Sequence, residues 1–153
     1  ILSIAAGISG MTGGQALDLA ASGVATDLSN LETIHRLKTG ALIKASVCLG
    51  ALCNEKITDN QMQALELYAE NIGLAFQVQD DILDEISDTK TLGKPQGSDR
   101  AQSKSTYVSL LGLEAAKNKA TELTEKAIQS LGGFSSSANN LRDIATYIVS
   151  RIH

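Results

Sequence analysis

Between Ile57 and Thr89 the chain carries eight acidic residues and no Lys or Arg. Three of the acids, Asp80, Asp81 and Asp84, fall within five positions. On a helix turning about 100° per residue, Gln77, Asp80 and Asp84 share one narrow sector, with Asp81 beside them. Carboxylates crowded in this way repel one another, and Asp is a poor helix former, so the arrangement is costly without a counter-charge. Short side chains offering hard oxygens suit Mg²⁺ that bridges to a phosphate, and the spacing of a calcium-binding EF-hand loop is absent. Three lysines add a second signal. Lys38 has Ile34, Ala41 and Leu42 as its helical neighbours and is followed by Thr39 and Gly40; Lys94 follows Gly93, and Lys104 lies ten residues beyond it. Taken singly, each has a plain alternative: a solvated polar face for the acids, a lysine stem covering apolar surface, a solvated connector for the loop. Taken together, an acidic cluster and scattered lysines describe a diphosphate site. A Walker phosphate loop is absent, and neither His35 nor His153 has the company of a metal ligand or a catalytic dyad.

The elements that must position these residues read as helices. Ala and Leu dominate, aromatics make up only 3%, and no segment alternates like a strand for long. Residues 1–21 read as a weakly amphipathic helical stretch in which Gly7, Gly10, Gly13 and Gly14 require close packing or a ligand to justify their cost. Ser29 and Glu32 have capping-box spacing and open a predicted helix to about Leu52; Thr58 and Gln61 open a longer one to about Ile86. On that long helix Leu65, Tyr68, Ile72, Ala75, Ile82 and Ile86 form an apolar stripe. Residues 87–103 read as a loop, followed by predicted helices near 105–111, 113–131 and 138–151. The expected architecture is an all-α bundle.

Composition narrows the function classes. The net charge of −4 offers no basic excess for nucleic acid or an anionic membrane. No apolar run approaches the roughly 20 residues of a membrane span. Cys48 and Cys53 make no disulfide framework and are expected as reduced, buried thiols of a cytoplasmic protein.

Phe76-Gln77-Val78-Gln79-Asp80-Asp81-Ile82-Leu83-Asp84 resembles the second aspartate-rich motif of the trans-isoprenyl diphosphate synthases. Gly13-Gly14-Gln15, His35-Arg36-Leu37-Lys38-Thr39-Gly40, Leu92-Gly93-Lys94-Pro95 and Lys104-Ser105-Thr106-Tyr107 resemble the accompanying motifs, in order. The resemblance covers essentially the whole chain and is greatest to bacterial farnesyl and geranylgeranyl diphosphate synthases. It implies an all-α isoprenoid-synthase bundle and a Mg²⁺-dependent prenyltransferase that joins an allylic diphosphate to isopentenyl diphosphate, working as a homodimer. It further implies that Asp80, Asp81 and Asp84 hold the metal and that Lys38, Lys94 and Lys104 contact the allylic diphosphate. Carbonyls near Lys38 and Thr39, with the Gln77 amide, would face the allylic cation, and Phe76 would lie against the isopentenyl substrate. The departures are small: Val108 stands where Pro often follows the Tyr, and Ser98 differs within the loop.

A family member also carries a first aspartate-rich motif upstream, together with the basic residues for isopentenyl diphosphate, and neither is present in residues 1–153. The chain is therefore expected to be the C-terminal half of one synthase domain, inactive alone; its start at Ile1, without a Met, fits that expectation. Two other readings share the scaffold: a terpene cyclase, which the Lys38-Thr39 and Gly93-Lys94 motifs oppose, and a non-catalytic regulatory subunit.

Overall fold

A computed structural model describes residues 1–86 and 104–151. Among these the chain is helical, in the order α1 Leu2–Ala6, α2 Met11–Ala20, α3 Leu28–His35, a π turn Arg36–Gly40, α4 Ala41–Leu52, α5 Asp59–Ile86, α6 Tyr107–Leu111, α7 Leu113–Ser130 and α8 Asn139–Ser150. The expected all-α bundle is what forms.

Helix α5 is its axis. Thr58 and Gln61 make the capping box reciprocally: the Gln61 N–H donates to the Thr58 hydroxyl at 3.2 Å, and the Thr58 N–H to the Gln61 amide oxygen at 3.1 Å. Of the expected apolar stripe, Leu65, Tyr68, Ile72, Ala75 and Ile82 are buried, while Ile86 is exposed. In the C-terminal half of the helix burial extends beyond this stripe, because Leu74 and Val78 are buried too, whereas Leu67 in the first half is exposed. Helix α7 lies against α5 through Ala116, Ala120, Leu123 and Ala127, a stripe whose small side chains let the two backbones come close. Helix α8 closes the other side with Ala145 and Ile148, and the Tyr68 hydroxyl donates to the Leu141 carbonyl at 2.7 Å. Arg142 gathers the turn between α7 and α8, donating to the carbonyls of Leu131, Phe134 and Ser135 at 2.8–3.0 Å.

The structure departs from the sequence reading in four places. Residues 1–21 form two helices, α1 and α2, broken at Gly7–Gly10. The second predicted helix begins at Leu28 and not at Ser29, because the Asp27 side chain accepts from the Asn30 N–H at 2.8 Å. Starting there turns Leu28, Leu31 and Ile34 toward the interior. That helix also carries the π turn, which inserts one residue into its winding at Arg36–Gly40. Finally, Cys48 is buried as expected but Cys53 is exposed at the end of α4; both are free thiols. No helix among the described residues is long and apolar enough to cross a membrane.

Candidate active site

The π turn presents Lys38 and Thr39, and glycine packing holds it in place. A methyl group added at Gly14 of α2 would sit 2.2 Å from the Lys38 amide nitrogen and 2.6 Å from its Cα. On the opposite side, one added at Gly73 of α5 would sit 3.1 Å from the Gly40 Cα. The turn is thus clasped between two helices at backbone contact distance, which explains why α2 carries a glycine the helix itself disfavours.

From this turn the Lys38 ammonium reaches Asp18 on α2, Nζ to Oδ2 at 2.8 Å. Lys104, entering from the segment before α6, reaches the same oxygen at 3.0 Å. Asp18 is largely shielded, its side chain 17% exposed. Burial pushes its carboxyl upward, and the hydrogen bonds and charges of Lys38 and Lys104 outweigh that, holding it below the ordinary carboxylate range.

Lys104 also lines a cavity of about 370 Å³ whose wall includes Asp81, Asp84, Glu85, Ser105 and Thr106. Asp81 and Asp84 are 8% and 4% exposed, so the polar-face alternative fails for these two residues. The Asp81 carboxylate accepts the Tyr107 backbone N–H at 2.7 Å, which pins the start of α6 to the acidic helix. The Thr106–Ser109 capping box fixes the same turn.

Asp80 points elsewhere. It pairs with Arg151, and the Gln77 amide donates to it at 3.5 Å. The Arg151 guanidinium lies 4.3 Å from the centre of the Phe76 ring and donates to the Phe76 carbonyl at 3.3 Å. Arg151 thereby covers Phe76 and Asp80 together, a cation–π contact combined with an ion pair.

His35, the last residue before the π turn, sits between these groups. Its ring stacks on Tyr107 at 5.8 Å and 14°. Neither ring nitrogen makes a well-formed hydrogen bond among the described residues, and the nearby Gln77 side chain opposes the effect of burial only weakly. Burial lowers the imidazole to about 4, against an opposing pull from the Asp18 charge, so the ring is neutral at physiological pH.

Of the residues singled out from sequence, Lys38 and Lys104 meet at Asp18, while Asp81 and Asp84 share a cavity with Lys104. Phe76 and Asp80 gather under Arg151, Gln77 touches Asp80, and Thr39 rides on the π turn. Lys94 lies outside the described residues, as do the rest of the 87–103 loop and His153. Asp18 and Arg151 were not among the sequence candidates. Only the position of Asp18 two residues before the end of α2, near the Gly13-Gly14-Gln15 motif, hinted at a role. No three His, Cys, Asp or Glu side chains converge as a metal site among the described residues. Mg²⁺ seldom needs such a cage: it is commonly held by one or two carboxylates, with waters and substrate phosphates completing its shell. Buried carboxylates beside lysines fit that mode of binding.

The family model of the polyprenyl synthetases matches residues 3–144. The chain is 53% identical to the farnesyl diphosphate synthase of Escherichia coli, across 98% of this chain and 51% of that protein. Among solved structures, a farnesyl/geranylfarnesyl diphosphate synthase from Zymomonas mobilis superposes with a TM-score of 0.82 at 42% identity, over 96% of this chain and 48% of that one. A geranyltransferase from Helicobacter pylori, solved with magnesium and isoprenyl diphosphate, gives 0.78 at 34% identity over 97% and 48%. The chain spans about half the length of the curated relatives it matches. With its motifs, its fold and these likenesses in agreement, the chain belongs to the polyprenyl synthetase family.

Proposed function

We propose that this chain is the C-terminal half of a short-chain prenyltransferase, farnesyl diphosphate synthase in type, which condenses an allylic diphosphate with isopentenyl diphosphate. The observation that carries the reading is the convergence of Lys38 and Lys104 on one spot beside the cavity of Asp81 and Asp84. Cationic donors next to buried carboxylates suit a diphosphate that arrives with a divalent cation.

When the allylic carbon–oxygen bond breaks, negative charge grows on the departing diphosphate. The ammonium groups of Lys38 and Lys104 already stand in a partly buried place, so they stabilise that charge without reorganising. Lys94 is assigned to the same diphosphate. Asp80, Asp81 and Asp84 would hold Mg²⁺, which supplies further charge neutralisation at the leaving group. The backbone at Lys38 and Thr39, together with the Gln77 amide, would face the allylic cation with oxygen dipoles. Phe76 would border the isopentenyl substrate, and the apolar walls of the bundle keep water from the cation. The protein is assigned to a homodimer, as the resemblance implies, and to the cytoplasm, in line with its two free thiols.

The test is a product assay on the protein expressed from its whole reading frame, with dimethylallyl and isopentenyl diphosphates and Mg²⁺. Prenyl diphosphate product, lost in a Lys38→Met, Lys104→Met double variant, is the expected result. A folded full-length protein that binds neither substrate overturns the assignment.

A further inference from the structure

The two site lysines come from different parts of the chain. Lys38 rides on the π turn after α3, and Lys104 leads into α6. Nothing in the covalent chain keeps them together, and two ammonium groups brought side by side in a partly buried place repel each other. The structure resolves this with one carboxylate from a third element. Asp18 accepts from both through the same atom, Oδ2, at 2.8 and 3.0 Å.

We propose that Asp18 is a positioning residue of the diphosphate site: its carboxylate holds the Lys38 and Lys104 ammonium groups as a preset pair that receives one diphosphate. The inference rests on the diphosphate-site reading of these lysines. Each ammonium has three N–H donors, and Asp18 occupies one of each, so two per lysine stay available for phosphate oxygens. The net charge of the three groups remains positive, which suits a polyanion. The surroundings enforce the arrangement on both sides. Gly14, one helical turn before Asp18 on α2, lets the Lys38 backbone pack directly against that helix. Across the pair, the Thr26 N–H donates to the Ser105 hydroxyl at 3.2 Å, tying the α2–α3 connection to the residue after Lys104. Asp18 therefore acts through the lysines; it is not itself a group that touches the reacting atoms.

The test measures binding of inorganic pyrophosphate by calorimetry, at one fixed Mg²⁺ concentration, to the protein expressed from its whole reading frame. Asp18→Asn keeps the shape and removes the charge, and it should weaken pyrophosphate binding about tenfold, as expected for a lost charge-assisted contact pair. A thermal melt establishes that the variant folds. A double-mutant cycle supplies the readout that a merely structural role would not move: Lys104→Met should cost clearly less in the Asp18→Asn background than in the wild type, because the pair is already undone. In the product assay Asp18→Asn should raise KM for the allylic diphosphate and lower kcat as well, since the same lysines bind the diphosphate and stabilise the charge that grows on it. Unchanged or tighter pyrophosphate binding by Asp18→Asn overturns the proposal, since the carboxylate would then be inert or a competitor. So do additive losses in the cycle. If Asp18→Asn does not fold, Asp18→Glu gives the same cycle with the charge kept and the geometry moved, and full wild-type binding by that variant counts against positioning. If the Lys38→Met, Lys104→Met double variant binds pyrophosphate as the wild type does, the diphosphate reading itself fails. If that double variant loses binding while Asp18→Asn keeps it, only the role of Asp18 fails.

Discussion

Asp80 is the residue on which the metal assignment is most exposed to test, because the structure shows it engaged with Arg151. Asp80 is 42% exposed, but the Arg151 side chain paired with it is only 12% exposed. A cation that takes the Asp80 carboxylate therefore competes with a largely buried guanidinium. Asp80→Ala in the full-length protein should lower turnover by roughly 3 kcal/mol of transition-state stabilisation, about two orders of magnitude. Steady-state turnover at saturating Mg²⁺ measures this, and a near-normal rate removes Asp80 from the metal site. His35 offers a test at the same scale that needs no substrate. Its folded value is near 4 against 6.5 in the unfolded chain. As pH falls below about 6.5 the unfolded chain gains a proton that the folded chain refuses until about pH 4. Stability therefore declines across that window, by something of the order of 3 kcal/mol in total, and this contribution is fully present only above the window. Urea melts at pH 7 and pH 4.5 should show a smaller acid loss for His35→Phe than for wild type. Equal losses in both proteins would falsify the burial account of this ring. Neither the Asp18 nor the Arg151 contact was legible in the sequence, since each joins residues far apart in the chain, and no local pattern encodes such a pairing.

The elements were legible to different depths, and the reasons are physical. Thr58 and Gln61 could be identified because a capping box is a local exchange of two hydrogen bonds at fixed spacing. Ser29 was the wrong cap because Asp27, an equally good acceptor, comes two residues earlier and lets Leu28 join Leu31 and Ile34 on the buried side. The π turn left no trace in the apolar periodicity: one inserted residue changes the phase of a helix by a single step, within the tolerance of any such pattern. The glycines before residue 15 signalled close packing only: Gly10 and Gly13 meet the backbones of Ala5 and Ile8, and Gly14 alone meets the π turn. Gly14→Ala should push the Lys38 backbone off α2, where a Cβ would otherwise lie 2.2 Å from its amide nitrogen. The expected outcome is a loss of 2 kcal/mol or more, about the range of an overpacked core, with weakened pyrophosphate binding. Gly50, inside α4, is the control, because an added Cβ there meets nothing within 4 Å. Gly50→Ala should raise stability by up to about 1 kcal/mol and leave pyrophosphate binding as it was. Paired thermal melts and calorimetry separate the two glycines; equal behaviour refutes the clasp.

At the scale of the molecule, the exposed apolar side chains are unevenly placed. Leu2, Ile4 and Ile8 are 56%, 68% and 78% exposed, and Leu17, Leu19 and Val24 follow on α2 and just after it. Helices α5 and α8 also expose apolar side chains, Leu67, Ile144 and Tyr147 among them, outside the core they share with α7. Scattered apolar residues are ordinary on a protein surface, but a set gathered on two adjoining helices calls for a cover. The curated relatives are about twice as long as this chain, and a segment corresponding to their additional length is the cover to test. Two consequences should appear together. Residues 1–153 expressed alone should bind a hydrophobic dye strongly and self-associate as concentration rises, and should make no prenyl diphosphate. The protein from the whole reading frame should lose most of the dye signal, run as a single defined assembly on light scattering, and make product. Paired substitutions Ile4→Glu and Leu19→Glu discriminate further: they should improve the solubility of the short form while harming the folding of the long one. If instead the short form is monodisperse, dye-silent and active, then the apolar face is an ordinary surface and residues 1–153 carry the chemistry by themselves.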